Sequence, residues 1–181
     1  MKNKILLLVG LSTLLFASPA VRAEAPTPEV QLKIDAILKD MQQWAADPLV
    51  VNAVKAQNAS LPATYAEVTQ EKWTALSVLD PFVRGFTKNE AGVFLKSKKT
   101  DAVGEIFLSD ANGNKVAFLS KTTSWNHKGK PKHDEPMTGK SWQGPLEVDA
   151  STGLMMVQAA VPVLDAGKPI GSLVVGIKAG K

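Results

Sequence analysis

Between Glu105 and Ile177 the chain carries five short runs rich in β-branched and aromatic residues, and three of the four connections between them are tight turns. Glu105-Ile106-Phe107-Leu108-Ser109 passes through Asp110-Ala111-Asn112-Gly113-Asn114 into Val116-Ala117-Phe118-Leu119, and the Asn-Gly pair tolerates the positive φ of a hairpin turn. Leu146-Glu147-Val148 turns at Asp149–Gly153 into Leu154–Val163, and Asp165-Ala166-Gly167-Lys168 leads into Ile170–Ile177. Turns this short cannot make the crossover that parallel strands need, so the runs predict one antiparallel sheet. Pro162 lacks a ladder donor, which places its end of the fourth strand at an edge or a bulge.

The remaining connection, Lys121–Gln143, is a polar insertion without an apolar run. Connections of that length inside compact domains tend to carry function. Trp125 and Trp142 frame it, and two indoles can wall a pocket, attract a cation and still donate one hydrogen bond each.

The first residues read as an address. Lys2 and Lys4 precede an apolar stretch, Ile5–Ala17, and Val21-Arg22-Ala23 offers a small-x-small cleavage pattern. About 13 apolar residues are too few to cross a bilayer as a helix, so residues 1–23 are expected to be a signal peptide and residues 24–181 one domain exported to the periplasm. The formal charge of +4 is then partly an attribute of the leader. Without Lys2, Lys4 and Arg22 the 21 basic residues become 18 against 17 acidic ones, which gives no support for nucleic-acid binding. The chain has no cysteine, which excludes disulfides, thiol chemistry, c-type haem attachment and Cys-ligated zinc.

Ahead of the sheet, Val30, Ile34, Ile37, Met41 and Trp44 recur at helical spacing and predict a four-turn helix with one buried stripe. Packing against the chain's own sheet or a dimer seam would each bury it. Asp47-Pro48 and Asp80-Pro81 read as N-caps followed by proline at the first helical position. Further helical or mixed segments are expected up to Lys98, interrupted at Gly85 and Gly92.

This order of elements is similar to that of the extracytoplasmic Cache (PAS-like, PDC) sensor domains of bacterial chemoreceptors and histidine kinases. The stretches that resemble the family are Asp47–Asn58 at the helix break, Ile106–Ala117 at the first hairpin, Thr122–Trp125 with Asp134-Glu135 in the pocket loop, and Val161–Asp165 with Pro169–Gly171 at the closing hairpin. The resemblance implies an α+β fold, a PAS-like five-stranded antiparallel sheet with a long N-terminal helix and shorter helices. It also implies a ligand pocket between sheet and loop. Amino-acid-binding members clamp a carboxylate with a pocket-loop arginine and hold the ammonium with an aspartate. Asp149 falls where that aspartate would be, but Arg84 is the one arginine after residue 23, and Glu147 stands where a tyrosine is common.

The expected ligand-binding residues are therefore Trp125, His127, Trp142, Glu147 and Asp149, with an amine or other cationic ligand favoured by the carboxylates and indole faces. His127, His133, Asp134 and Glu135 are metal-compatible in type, but their spacing matches no zinc signature, and a solvated loop explains them equally well. Neither metal nor cofactor is expected. Ser124, His127 and Asp134 lack the nucleophile setting of a triad, and no glycine-rich phosphate loop precedes a helix, so enzymatic activity is not expected. The reading is a periplasmic ligand-sensing module acting through a membrane receptor, kinase or cyclase, with a homodimer through the first helix as one possibility. The alternative is an envelope interaction module that docks constitutively and takes no small molecule.

Overall fold

A computed structural model of the chain describes residues 25–149 and 153–180. The expected leader and positions 150–152 of one turn lie outside the described residues. Two helices open the domain, α1 (Pro28–Ala45) and α2 (Pro48–Ala59). A 3₁₀ turn (Ala63–Glu67) and three short helices follow, α3 (Gln70–Ala75), α4 (Pro81–Lys88) and α5 (Glu90–Ser97). Then come β1 (Val103–Asp110), β2 (Lys115–Phe118), a one-turn helix α6 (Pro131–Asp134), a 3₁₀ turn (Pro136–Thr138), β3 (Trp142–Val148), β4 (Met155–Asp165) and β5 (Lys168–Lys178). All pairings are antiparallel and the strand order is β2-β1-β5-β4-β3, the α+β, PAS-like sheet expected from the sequence.

The helix starts follow capping chemistry. Leu49 N donates to Asp47 Oδ1 at 2.9 Å and Phe82 N to Asp80 Oδ1 at 2.8 Å, each cap contributing about 1 kcal/mol. The break between α4 and α5 differs from expectation. Gly85 lies inside α4 and Gly92 inside α5; the chain turns at Asn89, which ends one helix and caps the next through Gly92 N to Asn89 Oδ1 at 2.7 Å.

Strand alternation divides the sheet into two faces. Ile106 and Leu108 of β1, Val157, Ala159 and Val161 of β4, and Leu173, Val175 and Ile177 of β5 face α1 and α2, where Val30, Ile34, Met41, Ala45, Val50 and Val54 complete the core. The α1 stripe thus packs on the chain's own sheet, with Ile37 and Trp44 half-buried beside it. Pro162 also sits as its missing donor requires. β3 pairs with β4 only as far as Ala160, so on that side β4 is an edge at Pro162, and a register shift follows at Val163/Leu164. The opposite face, with Glu105, Phe107 and Ser109 of β1, lies under the insertion. That segment is not a bare loop: it contains α6 and a 3₁₀ turn, and its last two residues, Trp142 and Gln143, already belong to β3.

Candidate functional site

The insertion is stitched to the β1–β2 turn. Asp110, 1% exposed, accepts from Asn112 N and Asn114 N at 2.9 Å each through Oδ1, and from Asn114 Nδ2 at 3.0 Å and Gln57 Nε2 at 2.9 Å through Oδ2. Four donors saturate its carboxylate. His127 N donates to Gly113 O at 2.9 Å, and Asn126 Nδ2 donates to Asn112 O and Asn114 Oδ1. Gly113 has φ +79°, and a Cβ there would collide with the backbone N of Lys128. Gly113→Ala is therefore expected to cost at least about 2 kcal/mol, from positive-φ strain plus displacement of the insertion, measurable as a lower urea midpoint.

Around the Phe107 ring the insertion and the sheet bury a charged cluster. Lys115, at the start of β2 and opposite Ser109 in register, is fully buried. Its Nζ shares a hydrogen bond with His127 Nδ1 and lies 4.7 Å from the Phe107 centroid. The His127 ring stacks on the other partner of this trio, its centroid 4.5 Å from that of Phe107. Lys132 Nζ is 5.7 Å from the same ring and donates to Gln158 Oε1 at 2.8 Å, while Gln158 Nε2 donates to Glu105 Oε2 at 2.8 Å and approaches Asp149 Oδ2 at 3.5 Å. His133 Nδ1 and Ser172 Oγ share a hydrogen bond of 2.8 Å, and the buried Ser109 hydroxyl has no partner among the described residues.

Burial dominates the electrostatics here. Desolvation pulls Lys115 well below the usual lysine range, against the smaller opposing pull of Glu105. Desolvation likewise lowers His127, aided by the charge of Lys115, and lowers Lys132 and His133. Glu105 is pushed up, first by desolvation and then by Asp149. Two ends result. Lys115, Ser109, His127, His133 and Ser172 present hydrogen-bonding nitrogens and hydroxyls, and Glu105 and Asp149 present carboxylates beside the Gln158 amide.

The expected binding residues are distributed unevenly over this arrangement. His127 lies at its centre and Asp149 at its acidic end. Glu147 is exposed on β3, near enough to favour the charged form of Lys132. Trp125 is part of an aromatic core instead, with centroids 5.1 Å from Tyr65, 5.1 Å from Trp73, 5.8 Å from Phe82 and 5.9 Å from Phe86. Its faces are occupied by other rings, so it does not wall a pocket with Trp142, which packs half-buried at the margin of the same cluster. Trp125 and Asp149 lie over the same sheet face but keep different neighbours.

The remaining loop residues also have separate engagements. Lys130 Nζ donates to Ser124 Oγ at 2.6 Å, Gly129 N to Asp134 Oδ1 at 3.0 Å, and Glu135 is exposed. Among the described residues no three His, Cys, Asp or Glu side chains gather to hold a metal ion. Sequence reasoning missed Lys115, Glu105, Ser109, Gln158 and Ser172. The available signal was period two: Glu105 and Ser109 flank Phe107 on one strand face, where a buried strand places apolar residues.

Neither a family model nor a curated protein matches the chain. Solved structures to which it is similar are sensor or ligand-binding domains of bacterial receptors. The Vibrio cholerae histidine kinase DctB sensor domain is 16% identical with a TM-score of 0.41, over 81% of this chain and 57% of that one. The ligand-binding domain of the Campylobacter jejuni chemoreceptor Tlp3, in complex with 4-methylisoleucine, is 18% identical with a TM-score of 0.46, over 83% and 54%. That of the Pseudomonas aeruginosa PAO1 amino acid chemoreceptor PctC, in complex with GABA, is 14% identical with a TM-score of 0.36, over 76% and 61%. In each case this chain spans less than two thirds of the matched chain.

Proposed function

We propose that the domain is a periplasmic sensor module that binds a small carboxylate-bearing ligand on the Phe107 face and signals through a membrane partner. The observation that carries this reading is Lys115, a fully buried lysine whose side chain meets an imidazole and a ring face, beside a buried hydroxyl, Ser109, that has no partner among the described residues. A carboxylate entering there competes with His127 for Lys115, favours the charged ammonium against the desolvation that opposes it, and gains the Ser109 hydroxyl. Because His127 is tied to the Gly113 turn and Lys132 to Gln158, its displacement moves the insertion, and the altered surface is the signal. An ammonium group on the same ligand would meet Asp149 and Glu105 at the other end. The amine preference drawn from the sequence is revised accordingly, since Lys115, Lys132 and His127 crowd the ring and Trp125 offers no free face. Among the described residues no helix is long and apolar enough to cross a membrane.

The test is a thermal-shift and calorimetric screen of small carboxylates, amino acids and amines. Carboxylate binding should raise the lowered pKa of Lys115 and so draw in protons over the pH range where the free protein's Lys115 loses its own, seen as a heat that depends on the buffer's ionisation enthalpy. Hits restricted to amines and weakened by Asp149→Asn would reverse the ligand assignment. The packed state of the cluster favours the second reading, a constitutive interaction module of the envelope, and a screen without any hit would select it.

A further inference from the structure

Where α4 meets α5, a groove of about 350 Å³ opens beside the start of β1 and the end of β2. Arg84 and Lys88 of α4, Lys96 of α5 and Lys99 beyond it line the groove, with the half-buried Leu119 beside them. It has no carboxylate among its lining residues. The ion pairs among the described residues, Lys33–Glu29 and Lys55–Asp165, involve none of the four cations, and none of their side chains has a hydrogen-bond partner among those residues.

The fold gathers these charges for identifiable reasons. Arg84 and Lys88 share a helix face at i, i+4. A Cβ at Gly92 would collide with Phe86 O and lie 2.8 Å from the Thr87 carbonyl carbon, so only glycine lets α5 start this close to α4 and bring Lys96 toward the same groove. Helix-dipole complementarity explains Lys88 and Lys96, which sit in the last turns of α4 and α5. It does not explain Arg84 or Lys99.

We propose that this groove is a second binding site, for a phosphate-bearing anion. Like charges converging in a concave, partly apolar cleft focus the potential and favour an anion of matching charge. A phosphate group carries up to about two negative charges, and the guanidinium fork of Arg84 matches its oxygens bidentately. The volume suits a small molecule, and the half-buried Leu119 would meet part of its carbon skeleton. The source is either a soluble phosphorylated compound or a phospholipid headgroup. The site shares no ionisable residue with the Phe107 face and does not depend on a ligand there.

The experiment is an amide-resonance titration with inorganic pyrophosphate, paired with sedimentation on vesicles of phosphatidylglycerol and phosphatidylcholine at one to three. Pyrophosphate should shift the amides of residues 84–99 and 118–120. Arg84→Gln should weaken its binding roughly tenfold, Arg84→Lys less because the charge stays while the fork is lost, and Lys39→Gln on α1 not at all. Vesicle binding lost in Arg84→Gln identifies a headgroup, and pyrophosphate binding without vesicle binding identifies a soluble phosphate. Shifts scattered over surface lysines, or pyrophosphate or vesicle binding indifferent to both Arg84→Gln and Lys96→Gln, would overturn the proposal.

Discussion

Replacing Lys115 with methionine should raise the thermal midpoint by about 4 to 8 °C at pH 7 while abolishing carboxylate binding. Methionine fills similar space without an amine to desolvate, and removing the desolvation cost of the buried lysine stabilises by roughly 2 kcal/mol, worth about 2 to 4 °C per kcal/mol in a domain of this size. The pH dependence supplies a second readout. In the unfolded chain Lys115 holds its proton up to 10.5, whereas in the folded chain burial lowers that value. Between the lowered value and 10.5 the unfolded state therefore binds more protons, and stability rises with pH by up to about 1.4 kcal/mol per unit from this residue. Lys115→Met should lose that slope. A variant with an unchanged slope, or one less stable than wild type, would show that the contacts with His127 and Phe107 outweigh desolvation, and the proposed ligand exchange would fail with it.

Trp125→Ala should destabilise the domain by about 3 to 5 kcal/mol, the cost of a large cavity in a packed aromatic core, and lower the midpoint by more than 6 °C. Trp125 is 6% exposed and touches four other aromatic rings. Trp142→Ala, at the margin, should cost far less, about 1 kcal/mol from partial loss of apolar burial. Equilibrium denaturation of the two variants separates the roles. If Trp125→Ala kept wild-type stability yet lost ligand binding, the indole would be a pocket wall after all, and the assignment to the core would be wrong.

The fold was legible where local chemistry is self-sufficient. Short turns forced antiparallel pairing, Asp-Pro pairs marked helix starts, and the spacing from Val30 to Trp44 gave α1 and its buried face. Asn89 escaped notice because an asparagine that ends one helix and caps the next lacks the signature of a Gly or Pro break. The site was less legible, since its residues are brought together by long-range register. Glu105 reaches Gln158 only because β5 sits between β1 and β4. Lys115 reads as an ordinary hairpin lysine until the insertion covers it. Trp125 had the composition of a ligand wall, but Tyr65, Trp73, Phe82 and Phe86, all distant in sequence, claim its faces.

The last strand, β5, occupies the middle of the sheet. A chain interrupted before Lys168 retains two hairpins, β1–β2 and β3–β4, which share no edge and which, as two-stranded units, are marginal in water. Assembly must therefore wait for residues 168–178 and close the longest loops in the molecule in one event, a topology that slows folding. The same strand sets Ser172 opposite Ser109 and holds Glu105 within reach of Gln158. The proposed binding face and the sheet are thus completed by one segment, and an incomplete copy would present neither.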